Sequence, residues 1–78
     1  MKDKIPRKEI EKWLTRIKKE LDNTKSTNKK GEEFLDNINA YVYDCEHFLE
    51  KGDYVLSFES VIWAWSFYEI GKDLELLE

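Results

Sequence analysis

The sequence is poor in the residues that staple or catalyse. Among 78 residues it holds one cysteine, one histidine, one proline and no glutamine. Cys45 alone cannot form an intramolecular disulfide, which points to a reducing, cytoplasmic setting. Cys45 and His47 are the only soft ligands, so a structural zinc site of the usual kind is excluded. The longest apolar run, Val61-Ile62-Trp63-Ala64-Trp65, is far short of a membrane span. The opening stretch, MKDKIPRKEIEKWL, has no apolar core and does not read as a signal peptide. No Walker loop, HExxH pair or dinucleotide fingerprint is present. These absences predict a soluble, cytoplasmic, non-enzymatic protein without cofactor or metal and without a membrane.

A chain of this length predicts one domain, residues 1–78. A domain so small hides only about 60% of the surface its unfolded chain exposes. With disulfides and zinc set aside, self-association is the remaining device for stabilising it.

What the chain has is charge, unevenly placed. Residues 1–30 carry 11 Lys+Arg and 5 Asp+Glu, a net of +6; residues 31–78 carry 2 and 12, a net of −10. Either the basic segment lies against, or simply beside, an acidic remainder, or it meets an anionic partner. Charged residues make up 38% of the chain, with Lys and Glu dominant, a balance that suits a thermophile.

Apolar spacing predicts three helices near residues 6–24, 29–51 and 53–72, with a tail at 73–78. Asp3 and Lys4 read as frayed chain before Pro6, which suits a first helical turn. The first helix has one narrow stripe, Ile10, Trp13, Leu14, Ile17 and Leu21, opposite a ridge of Lys8, Lys12, Arg16 and Lys19. A polar connection follows, with Ser26, Thr27 and Asn28 all eligible as N-caps. The second helix gathers Phe34, Leu35, Ile38, Tyr41, Val42, Cys45, Phe48 and Leu49 into an arc of roughly 140°. Gly52 and Asp53 then form a corner, the first as a left-handed helix end and the second as an N-cap. So short a corner predicts antiparallel helices and an all-α, three-helix up-and-down bundle.

The third helix is apolar on two sides. One stripe holds Tyr54, Phe58, Val61, Ile62, Trp65 and Tyr68. A second holds Leu56, Trp63, Phe67, Ile70 and Leu74, displaced by roughly 170° at helical pitch. Ser57, Ser60, Ala64 and Gly71 lie between them on one flank. Gly71 either ends the helix or lets the DLELLE tail continue it.

The hairpin pattern Tyr41-x-x-Asp44-Cys45-x-x-Phe48-x-x-x-Gly52-Asp53, followed by Phe58-Glu59 and Trp63-Ala64, resembles the archaeal domain of unknown function 357 family. The likeness covers roughly residues 38–70. Family members usually place Ala where this chain has Cys45 and Ser57, both small-for-small changes. The resemblance implies a three-helix up-and-down bundle and an archaeal source, and it supplies no activity.

Three groups of residues merit a functional reading. Cys45 and His47, two apart on a helix, do not face each other, so Cys45 reads as core. Asp44 and Glu59, both in the family pattern, read as rim carboxylates that accept an indole N–H or a phenol O–H. The second stripe of the third helix reads either as core, covered by one neighbouring helix while the other covers the first stripe, or as a contact surface. The contact surface is the reading preferred here, because the first helix has few apolar residues with which to cover a further face. The chain is thus expected to be a protein-protein interaction or self-association module, most simply a homodimer through Leu56, Trp63, Phe67, Ile70 and Leu74. The alternative is a nucleic-acid-associated accessory domain using Lys8, Lys12, Arg16 and Lys19 as an anion-binding ridge.

Overall fold

The computed structural model describes residues 5–78, so Asp3 and Lys4 lie outside the described residues. Three helices follow one another: α1, Arg7–Asp22; α2, Lys29–Lys51; and α3, Tyr54–Asp73. Pro6 precedes α1 in an extended conformation. Its carbonyl takes the N–H groups of Glu9 and Ile10. Of the three eligible caps before α2, Asn28 is used, its side-chain oxygen accepting the Gly31 N–H at 2.9 Å. Gly52 closes α2 with a φ of 81°, and Asp53 caps α3 by accepting the Leu56 N–H at 3.1 Å. The corner therefore reverses the chain by a left-handed glycine and a side-chain cap in succession.

The bundle is a rod of 44 × 18 × 17 Å. α2 and α3 form an antiparallel hairpin, and α1 is laid along it, up-down-up. The core consists of Ile10, Leu14 and Ile17 from α1, Ile38, Val42, Cys45 and Leu49 from α2, and Val61, Ala64 and Tyr68 from α3, closed by Leu77. A narrow stripe suffices for α1 because it meets the hairpin over one arc, whereas α2, packed on both α1 and α3, uses a wider one.

The segment after α3 neither continues the helix nor hangs free. Glu75 turns left-handed, with a φ of 60°, and residues 75–78 run back along the α1–α2 connection. Lys25 and Glu78 exchange backbone hydrogen bonds of 2.7 and 2.8 Å, and the Thr27 N–H donates to the Leu76 carbonyl at 2.9 Å. The Thr27 hydroxyl adds a bond to the Glu75 carbonyl at 2.8 Å. Leu77 is driven into the end of the core. Two glycines make room for it. A Cβ on Gly71 would stand 2.7 Å from Leu77 Cδ1, and one on Gly31 would strike the Leu76 carbonyl.

Candidate functional site

α3 is built from three adjacent strips, and the middle one is the surprise. The small residues Ser57, Ser60, Ala64 and Gly71, expected merely to flank two apolar stripes, form the buried centre of the helix. Small side chains let the α2 and α3 backbones approach. The Ser57 hydroxyl donates to the Cys45 carbonyl at 2.7 Å, with the Cys45 sulfur 3.4 Å away. Burial pushes the Cys45 thiol up from its ordinary pKa, against the smaller opposing effect of the Ser57 hydrogen bond. Cys45 is thus a packed core group, while His47 lies exposed beside it in sequence, stacked on Tyr43.

The first stripe turns toward α1. The Trp65 ring meets Trp13 edge-on at 6.0 Å, and the Tyr68 hydroxyl donates to Glu20 at 2.9 Å. Ile62 departs from its stripe and stays exposed, because it lies past the edge of what α1 covers.

The second stripe is only partly sheltered. Leu56, Trp63, Ile70 and Leu74 remain between 38% and 61% exposed, while Phe67 is half-buried. α2 leans against one side of it. Tyr41 stacks on Trp63 at 6.2 Å and on Phe67 at 5.7 Å, and Phe34 meets Phe67 edge-on at 5.6 Å. The result is a continuous aromatic face on the side of the hairpin away from α1. Phe34 and Tyr41 were legible as the near edge of the α2 arc, but nothing in the spacing set them against Trp63 and Phe67.

Asp44 and Glu59 do not play the expected role. Among the described residues, the carboxylates that receive aromatic donors lie on α1. Glu9 accepts the Trp13 indole N–H at 3.0 Å, and Glu20 accepts Tyr68. The indole bond, helped by Lys12, holds Glu9 below the usual carboxylate range. Asp44 stands one turn from Tyr41 on α2, and Glu59 one turn from Trp63 on α3, so both border the aromatic face.

Lys8, Lys12, Arg16 and Lys19 are all exposed on the outer side of α1. The ridge is not continuous positive charge. Lys12 pairs with Glu9 at 3.2 Å. Lys12 and Arg16 also lie over the Trp13 ring, at 5.3 and 5.1 Å from its centre. The charge asymmetry is partly settled internally, since Lys18 of α1 pairs with Glu46 of α2.

A shallow recess of about 320 Å³, lined by Tyr43, Glu46, His47 and Glu50, opens on the outer side of α2. Among the described residues no three His, Cys, Asp or Glu side chains are grouped to hold a metal ion. Among the same described residues, no helix is long and apolar enough to cross a membrane.

The family described as "Protein of unknown function (DUF357)" matches residues 8–77. A crystal structure of a protein of that family from Archaeoglobus fulgidus superposes with a TM-score of 0.84. The two sequences are 43% identical over 92% of this chain and 90% of the other. Comparison with curated proteins gives no match.

Proposed function

The chain belongs to the DUF357 family, and from that premise we propose a non-enzymatic interaction module that works through the outer face of its α2–α3 hairpin. The observation that carries this reading is the alignment of Leu56, Trp63, Ile70 and Leu74 along α3 with much of each side chain left open. An apolar line of this kind, centred on an aromatic ring, is unusual on a free surface and suits the middle of a protein interface. Phe67 and Tyr41 stiffen it, because stacked rings have little side-chain freedom left to lose on binding. The reading carries with it no cofactor and, from the lone Cys45, a reducing cytoplasmic setting. Its simplest occupant on sequence grounds is a second copy.

Light scattering on the wild type and on Trp63→Glu tests the reading for a second copy as the occupant. A face that works by contact loses its partner in the variant while the helical circular dichroism survives. If Trp63→Glu instead unfolds the chain, the residue is core and the reading is wrong.

The second reading, nucleic-acid association through α1, draws on the shared exposure of Lys8, Lys12, Arg16 and Lys19. Titration with labelled duplex DNA and structured RNA at two salt levels tests it, since phosphate contacts weaken steeply with salt. Absence of binding at low salt ends it.

A further inference from the structure

The hairpin of α2 and α3 has two long grooves, and α1 fills one of them. α1 therefore shows what kind of helix the hairpin accepts: a narrow apolar stripe, here Ile10, Leu14 and Ile17, with Lys18 at its α2 edge reaching Glu46 and Glu20 at its α3 edge accepting from Tyr68. The opposite groove has Tyr41, Trp63 and Phe67 for its floor. Its edges are Asp44 on α2 and Glu59 on α3. α2 and α3 hold four cations: Lys29 and Lys30 open α2, where Lys30 pairs with Glu33 at 3.4 Å, and the other two are Lys51 and Lys72. Lys51 ends α2 at the corner, and Lys72 is turned onto the Tyr68 ring at 5.7 Å.

We propose that this second groove takes a basic amphipathic helix of a partner protein, completing a four-helix arrangement. The inference rests on the interaction-module reading above and names the partner. Charge selects that occupant over a second copy. A second copy on this face would bring a second Asp44 and Glu59 into the same interface, and like charges gathered at an interface oppose association. The chain's own cationic ridge offers no remedy, since Lys8, Lys12, Arg16 and Lys19 lie on the side of α1 away from its apolar stripe and bring nothing to cover Trp63. A helix from another protein supplies both elements on one face. The line from Leu56 to Leu74 is about 27 Å long at helical rise, so the occupant spans about five turns. Its apolar residues recur three and four apart, with Lys or Arg beside them.

The test uses two fluorescein-labelled helical peptides of about 18 residues with one Leu stripe in common, one flanked by Lys and its twin by Glu. Each is titrated with the full chain and followed by anisotropy. The expected result is micromolar binding of the Lys-flanked peptide, with the Glu-flanked twin weaker by at least about tenfold. Glu59→Lys, an exposed change that leaves the helices intact, shrinks that gap, and Trp63→Glu abolishes binding of both. Equal binding of the twins, or a gap that Glu59→Lys leaves unchanged, overturns the basic-helix inference and leaves the interaction face standing. So does a wild-type dimer that Trp63→Glu makes monomeric and that binds neither peptide. If Trp63→Glu binds the Lys-flanked peptide as well as the wild type does, the face itself is wrong and both readings fall.

Discussion

The indole of Trp65 donates to the backbone carbonyl of Trp13 at 3.2 Å, and the two rings meet edge-on. One side chain of α3 thus holds α1 by its main chain as well as by its surface. This contact matters because α1 shares less surface with the hairpin than the two hairpin helices share with each other.

Trp65→Phe keeps a ring in place and removes the donor. We expect a loss of about 1 kcal/mol, the usual net worth of such a bond, plus a contribution from the smaller ring. Urea unfolding followed by circular dichroism measures the total. Amide exchange should show the loss first in α1, with the α2–α3 hairpin holding its protection longer.

Gly71 and Leu77 form a pair best examined together. Gly71→Ala alone forces a Cβ into Leu77 and should destabilise by about 1–3 kcal/mol, as overpacking does. In a Leu77→Ala background that clash is removed, and the Cβ meets only the edge of the half-buried Phe34 ring, at 3.3 Å. There it should be neutral or stabilising, because Ala is favoured over Gly within a helix by about 1 kcal/mol. A double-mutant cycle by chemical denaturation reads the coupling.

Cys45 sets an alkaline limit. Its folded pKa is raised by burial, so the unfolded chain loses the thiol proton first. Stability should be flat below the unfolded value, about 8.5, and decline as pH rises from there toward the folded value. Tyr68, raised by burial and then by its bond to Glu20, extends the decline nearer pH 10, roughly the free phenol value. Urea midpoints between neutral and alkaline pH check this, with Cys45→Ala removing the earlier part of the slope. The same burial predicts that a thiol reagent labels Cys45 only as fast as the protein opens.

Glu9 acts at the other end of the scale. Its folded pKa is depressed, first by the Trp13 indole and then by Lys12. The stabilisation is present above the unfolded carboxylate value, about 4.3, and is lost as pH falls through the folded one. Glu9→Gln keeps an acceptor for the indole without the charge. It should flatten this part of the acid limb in a series of thermal melts, by lowering the neutral-pH melt toward the value the two proteins share at low pH.

How much of this was legible depended on distance along the chain. Helices, caps and the Gly52-Asp53 corner are local and could be read from periodicity and turn chemistry, as could the two-sided character of α3. The central role of Ser57, Ser60, Ala64 and Gly71 could not, because a hydrophobic pattern ranks small residues low even where they permit the closest backbone approach. The rim carboxylates that accept an indole and a phenol are Glu9 and Glu20, not the Asp44 and Glu59 of the family pattern. Glu9 is one turn from Trp13 and within reach of sequence reasoning, whereas Tyr68 is 48 positions from Glu20. The docking of residues 75–78 had two faint signals, the Leu76-Leu77 pair and a glycine in the first turn of α2, neither of which names the other.

That docking bears on the order of assembly. The Lys25 and Thr27 N–H groups and the Lys25 carbonyl find their partners in residues 76–78, so the first connection of the bundle is finished by chain about 50 residues further on. Closing so long a loop is slow relative to forming a hairpin. The α2–α3 unit should therefore condense first, with the knot between Ser26 and Leu77 drawn tight as the last event.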